Sequence, residues 1–217
     1  MGTRAVLWDL DGTLADSREQ HWHSWLDALA REGVSITREQ FLGTFGQRND
    51  TILEGWLGAD AGAERIRRIG DAKEVRYREL VARDGIEPLP GAAEWIRSLH
   101  ASGWRQAIAS SAPRLNVEVM RRALGFEALI EVIVAAEDVS RGKPDPEVFL
   151  RAAERLDVPP ARCVVVEDAA SGIEAARRAG MPNIGVGPGA VAAEVSVASL
   201  AELPDGVFDR LVGGAER

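Results

Sequence analysis

The chain has 217 residues, 46% of them hydrophobic and 28% charged, with a formal net charge of −8. This is a globular composition, long enough for one large domain or a core carrying an insertion, and its acidity argues against a nucleic-acid partner, which calls for a basic face. The single cysteine, Cys163, excludes an internal disulfide and a cysteine zinc site, and its apolar run Cys163–Val166 marks it as a core residue.

The first predicted element is a strand, Ala5–Trp8, running into Asp9-Leu10-Asp11-Gly12-Thr13. Residues 18 to 85 then offer helical patterns and no convincing strand: His21–Arg31, with Trp22, Trp25, Leu26 and Leu29 on one face, then Arg38–Thr44, Asn49–Leu57 and Ala63–Ala82. The edges of this stretch are Leu14–Ser17 and Ile86–Pro90, the latter with two prolines that would stiffen a hinge. From there short apolar runs alternate with helical patterns. The chain reads helix Ala92–Ala101, strand Gln106–Ala109, helix Leu115–Leu124 and strand Val132–Ala135. Helix Pro146–Leu156, strand Val164–Val166, helix Ile173–Ala179, strand Asn183–Val186 and a short helix near Ser199–Leu203 complete it. Unbroken apolar strands alternating with helices imply a parallel sheet covered on both faces. The expected fold class is therefore α/β, a Rossmann-like parallel sheet core (residues 1–15 and 88–217) with an inserted all-helical cap domain (residues 16–87).

Ligands of such sheets gather at the carboxyl ends of the strands. Polar residues recur there: Asp9 and Asp11 after the first strand, Ser110-Ser111 after the second, Lys143 in Arg141-Gly142-Lys143-Pro144 after the third, Glu167-Asp168 at the fourth. Each alone is consistent with a helix cap or a solvated loop residue; together they bring carboxylates, a hydroxyl and an ammonium to one edge. Two aspartates two residues apart repel unless a cation or a shared proton compensates. Mg²⁺ suits such a cluster, because it prefers oxygen ligands and is usually completed by substrate phosphate. Asp9 then suits a nucleophile that forms an aspartyl phosphate, and Asp11 an acid/base. Lys143 and Ser110 suit the transferring phosphoryl oxygens.

"DLDGTL", "ASS", "GKPDP" and "VVVEDAASGIEAARRAGM" together resemble the four ordered motifs of the haloacid dehalogenase superfamily, in its phosphatase and phosphomutase branch with a small helical cap. The resemblance implies that Asp9 is the nucleophile and that Asp11 is the acid/base and lends a backbone carbonyl to Mg²⁺. It further implies that Ser110 and Lys143 hold the transferring phosphoryl group, that Asp168 ligates the metal, and that Glu167 supports it. The dehalogenating members lack the second aspartate, so Asp11 implies phosphoryl chemistry. The helical stretch is similar to the cap of β-phosphoglucomutases, which implies active-site roles for His21, Arg48 and Lys73. Each also has a plainer explanation: packing beside Trp25 for His21, a surface charge for the other two. Ser111 and Arg114 are further expected substrate contacts, Arg114 with a second phosphate. Ala112 and Pro113 stand where the mutase carries Ser and Lys.

Two patterns carry less. His21 and His23 are two apart, so on a helix they face different ways and make a poor metal pair. Gly185–Ala190, "GVGPGA", follows a strand like a dinucleotide loop, but too little chain remains for the rest of such a unit, and a loop beside the active edge is expected instead. The sequence thus leads to an enzyme that hydrolyses a small phosphate monoester, a sugar phosphate by expectation, with Mg²⁺. The alternatives are a phosphohexomutase of the β-phosphoglucomutase type and a non-catalytic phosphate-binding protein on the same fold. No leader and no stretch of bilayer length is present, so a soluble cytoplasmic monomer without membrane partners is expected.

Overall fold

The computed structural model of the chain describes residues 2–190 and 192–213; Met1, Val191 and the last four positions of the expected 88–217 segment lie outside the described residues. Six parallel strands form one sheet: β1 (Ala5–Trp8), β2 (Arg105–Ala109), β3 (Val132–Val134), β4 (Cys163–Glu167), β5 (Asn183–Val186) and β6 (Val195–Val197). Their order is β3-β2-β1-β4-β5-β6. The order reverses at β1, which pairs with β2 on one side and β4 on the other, and it is outside the carboxyl ends at such a reversal that this architecture leaves a crevice.

Strand alternation explains the two apolar layers. Val6 and Trp8 of β1 face one side, with α5 (Ala92–Ala101), α6 (Arg114–Ala123) and α9 (Val207–Gly213). Ala5 and Leu7 face the other, with α7 (Glu147–Arg155) and α8 (Ala170–Arg178). Cys163 is buried in the second layer, where burial alone pushes its thiol up to about 12.

Between β1 and α5 run α1 (Arg18–Ala30), α2 (Arg38–Thr44), α3 (Asn49–Leu57) and α4 (Ala63–Asp84). They have an apolar cluster of their own around Trp25, Leu29, Phe41, Leu53 and Ile69. The 22-residue α4 serves both bodies: its first half closes that cluster, while Tyr77 and Val81 lower down pack into the sheet-side layer. The chain leaves and re-enters the sheet side by side, since Ala15 bridges Pro88 and Leu89 N donates to Leu14 O at 2.8 Å.

The expected elements are present with ends shifted by a few residues, and among the described residues one strand and one α-helix are additional. The edge strand β6 is three residues, Val-Ser-Val, exposed or half-buried throughout, too short and too mixed to read as an apolar run. The seven-residue α9 follows Pro204 and Gly206, and is too short to display a helical period. The expected helix near Ser199–Leu203 is a single 3-10 turn, Leu200–Glu202.

Candidate active site

Asp9 follows β1 directly and Asp168 follows β4 directly, with Glu167 the last residue of β4. The register Trp8↔Val166 sets these carboxylates at adjacent strand ends. One ligand oxygen from each of Asp9, Glu167 and Asp168 lies within 4.8 Å of the others. Lys143, from the loop between β3 and α7, inserts here: its Nζ donates to Asp9 Oδ1 at 2.5 Å and to Glu167 Oε1 at 2.7 Å. Its ammonium also lies over the Phe149 ring, 5.0 Å from the centroid.

Local chain geometry enforces this crowding. Gly12 sits at φ +94°, and a Cβ there would come within 2.1 Å of Asp168 Oδ2. A Cβ on Gly172, in the first turns of α8, would come within 1.9 Å of Glu167 Oε1. The motif glycines are therefore space for carboxylates as well as turn residues. Glu167 Oε2 accepts from Ala169 N at 2.7 Å, which fixes the carboxylate's orientation.

The cluster is short of positive charge, with three carboxylates against one ammonium. Burial pushes the Asp9 carboxyl well above the usual carboxylate range; Lys143 opposes the rise, and Glu167 and Asp168 add to it. Asp168 is pushed up to about 7, by burial first and Glu167 second. Lys143 shows the converse: burial works against its charge, yet Asp9 and Glu167 hold it above the ordinary lysine value. Buried oxygen donors with a charge deficit fit a hard divalent cation, which would return Asp9 and Asp168 to their ionised forms.

Asp11 is in a different environment. Its Oδ1 accepts from Ser17 Oγ and lies 3.2 Å from His21 Nε2. Burial would raise its carboxyl, but His21, Ser17 and Lys73 outweigh burial and hold it below the usual value. Lys73 Nζ lies 2.8 Å from His21 Nδ1, and an ammonium has only hydrogens to offer. His21 Nδ1 therefore accepts, which places the ring proton on Nε2, facing Asp11. The ring stacks on Tyr77 with centroids 4.1 Å apart, and Lys73 is buried over the Trp25 and Tyr77 faces.

The cavity between the helices and the sheet edge has a volume of about 50 Å³. Of the expected site residues, Asp9, Asp11, His21, Lys73, Ser110, Ser111, Glu167 and Asp168 line it, and Lys143 stands behind Asp9. Ser110 is buried at the end of β2, where its Oγ accepts from Ala112 N at 3.0 Å. Arg48 is placed otherwise. It donates to Ala136 O at 3.2 Å, pairs with Asp50, and lines a neighbouring open cleft of about 470 Å³. That cleft shares Asn49, Glu74, Ser111 and Pro113 with the cavity.

Arg114, the expected contact of a second phosphate, is paired with a carboxylate in this structure. Its guanidinium donates to Asp138 Oδ2 at 2.5 Å, and it lies outside the cavity lining. Asp138 binds it because the same carboxylate caps the turn after β3, accepting from Ala135 N and from Arg155. His23 points away from His21, exposed beside Glu19. The GVGPGA stretch runs from β5 into a 3-10 turn, Pro188–Ala190, and then β6, with no α-helix between them among the described residues to receive a dinucleotide phosphate.

Sequence reasoning gave no role to Ser17, Asn49, Glu74 or Asn116. Glu74 receives Lys73 Nζ at 2.8 Å and Asn49 Nδ2 at 2.6 Å, and is buried. In the sequence it is one acidic residue among many on a charged helix, and no local signal distinguishes it.

A family model for haloacid dehalogenase-like hydrolases matches residues 3–180. β-Phosphoglucomutase of Bacillus subtilis is 32% identical over 193 residues, covering 86% of this chain and 84% of that one. Fructose-1-phosphate phosphatase YqaB of Escherichia coli is 30% identical over 182 residues, covering 83% and 95%. Among solved structures, CbbY from Rhodobacter sphaeroides in complex with phosphate superposes with a TM-score of 0.84 at 31% identity, covering 93% of this chain and 96% of that one. The four polar strand ends, the helices set into the chain after β1 and these matches along most of its length make this protein a member of the haloacid dehalogenase-like hydrolase family.

Proposed function

We infer that the chain is a phosphatase that hydrolyses a small phosphate monoester, a sugar phosphate by class, through an aspartyl phosphate on Asp9. The observation that carries this reading is the setting of the two aspartates: Asp9 in a nest of carboxylates and one ammonium, Asp11 two residues on and hydrogen-bonded to groups from α1. In this reading Asp11 enters the step in its protonated form: an Asp9 oxygen attacks phosphorus, the bond from phosphorus to the ester oxygen breaks, and the leaving oxygen takes the proton from Asp11. Water then loses a proton to Asp11 and attacks the acyl phosphate, freeing inorganic phosphate and Asp9. Lys143 and Ser110 hold the phosphoryl oxygens. Asp9, Glu167, Asp168 and the main-chain carbonyl of Asp11 would hold Mg²⁺, which when bound neutralises charge on the transferring group.

The helices α1–α4, residues 16–87, serve as a cap. A cavity of about 50 Å³ is far below the ~300–1,000 Å³ of a typical ligand site, so a sugar phosphate enters only after the cap lifts. Closure then excludes water and seats His21 and Lys73 beside Asp11.

The second reading is transfer of the phosphoryl group to a sugar hydroxyl, as the similarity to a β-phosphoglucomutase suggests. It needs a second phosphate site in the same cavity. Ala112 and Pro113 line that wall and Arg114 is bound to Asp138, which favours hydrolysis. Phosphorus NMR of a panel of sugar phosphates with Mg²⁺, with and without chelator, tests the assignment. Chelator-sensitive release of free phosphate is expected. An isomerised ester would favour the mutase, and binding without turnover would favour a non-catalytic phosphate binder.

A further inference from the structure

We propose that Asn116, a core residue outside the cavity lining, is a positioning residue for the acid/base: it locks the cap onto the core and, through the cap, aligns Asp11. The inference rests on the reading of Asp11 as the proton donor.

Asn116 lies on α6 and is fully buried. Its amide is gripped from both sides by one turn of the cap helix α4. The Nδ2 donates to Glu74 Oε2, and the Oδ1 accepts from Arg78 Nη1 at 2.9 Å. Glu74 and Arg78 are four apart, so they stand on one face of α4, and an amide is the neutral side chain able to give to one and take from the other.

The second oxygen of Glu74 points the other way. Oε1 accepts from Lys73 Nζ at 2.8 Å and from Asn49 Nδ2 at 2.6 Å. Lys73 in turn holds His21 Nδ1 at 2.8 Å, and His21 Nε2 faces Asp11 Oδ1 at 3.2 Å. A continuous series of hydrogen bonds thus runs from α6 of the core, through three cap side chains, back to the loop after β1 of the core. Each member is buried or nearly so, and each has its geometry fixed by the one before. If α4 lifts from α6, Glu74 loses its core partner and Lys73 its fixed carboxylate, so the His21 ring is no longer held against Asp11. Proton donation is then available only in the closed state.

An apolar residue would fill a buried contact between two helices at lower desolvation cost. Asn116 is instead the one hydrogen-bonding partner that the core supplies to Glu74 among the described residues. Contact between α4 and α6 would survive its loss, because Tyr77 OH still reaches Met120 Sδ at 2.7 Å.

The test uses substituted phenyl phosphates. These esters are alike in size and offer the cap little to hold, but differ in how much their leaving oxygen needs a proton. Asn116→Asp keeps the shape and the acceptor for Arg78 while setting a carboxylate against Glu74. It should lower kcat/KM at least about tenfold more for phenyl phosphate than for p-nitrophenyl phosphate, steepening the dependence on leaving group in the same sense as Asp11→Asn. If this variant does not fold, Glu74→Gln disrupts the same contact from the cap side and carries the same expectation. A variant whose line runs parallel to the wild type's, with all esters reduced alike, overturns the inference and leaves a structural role. If Asp11→Asn itself fails to steepen the dependence, or the wild type releases no nitrophenol, the acid/base reading has failed and the inference falls with it.

Discussion

The cavity has two walls built on different principles. The sheet wall is made of charges from three separate segments, the ends of β1 and β4 and the loop before α7, forced together by strand order and by glycines that leave room for carboxylates. The cap wall is made of His21, Lys73 and Glu74 from two helices, whose charges are paired in series and set against aromatic faces. On the sheet wall one ammonium meets three carboxylates, a deficit that bound protons or a cation would relieve. On the cap wall the ammonium of Lys73 already meets a carboxylate. The first wall is suited to chemistry on an anion, and the second to aligning the groups that perform it.

Breaking the sheet wall should have the largest effect. Asp168→Asn removes a proposed metal ligand and, with it, charge stabilisation at the phosphoryl group, an effect of several kcal/mol in metal catalysis, or more than about a thousandfold in turnover. Near-normal turnover at low Mg²⁺ would show that Asp168 is not a ligand. Next comes Asp11→Asn, which keeps the nucleophile but loses proton transfer, with an expected loss of ~10²–10⁴-fold. Single-turnover kinetics with p-nitrophenyl phosphate should show a smaller loss in phosphorylation than in hydrolysis of the intermediate. Equal losses in both steps would contradict the separation of roles.

A smaller effect is expected at the rim of the cap. Arg48 holds Ala136 O of the core, lies against Gly142 and lines the cleft beyond the cavity, contacts that in the proposed reading serve closure. Arg48→Ala should reduce kcat/KM for the best sugar phosphate about tenfold, equivalent to ~1.4 kcal/mol, and change the rate with p-nitrophenyl phosphate little. Equal loss with both substrates would assign Arg48 to the shared phosphoryl site or to stability.

The remaining expected effect is on stability and not on turnover. Asp168 has a folded value of about 7 against an ordinary 3.8, so its contribution to the metal-free fold is complete below the ordinary value and is lost as pH rises through about 7. Asp9, raised in the same direction, adds to that loss. A bound cation offsets the repulsion of the ionised forms. Mg²⁺ should therefore raise the melting temperature more at pH 8 than at pH 5. An Mg²⁺ effect that is the same at both values would argue against binding at this cluster.

The same contrast between walls explains what the sequence discloses. Asp9, Asp11, Ser110, Lys143, Glu167 and Asp168 are legible because each follows a strand or sits in a loop where glycine and proline mark the backbone. The sheet is legible for a related reason: strands buried on both faces are continuous apolar runs, whereas the half-exposed Val-Ser-Val of β6 is not. The cap wall is harder to read. Helix α4 carries alternating charges along its length, and the buried Glu74 and Lys73 look like their solvated neighbours Asp71 and Glu79. Arg114 shows the converse, a partner that the local sequence does not reveal. Its position after the Ser110 loop suits a phosphate, but the carboxylate that binds it, Asp138, lies in another loop and comes near only when β3 pairs with β2.

The central claim is that Asp9 becomes phosphorylated. Asp11→Asn should slow hydrolysis of the intermediate more than its formation, so incubation of this variant with p-nitrophenyl phosphate and Mg²⁺, followed by acid quench and peptide mass spectrometry, should recover one phosphoryl group on the peptide containing Asp9. The label should be absent when Asp9→Asn is added to the same variant. Phosphate on a different residue, or nitrophenol release by the doubly substituted protein at the rate of Asp11→Asn alone, would contradict the account.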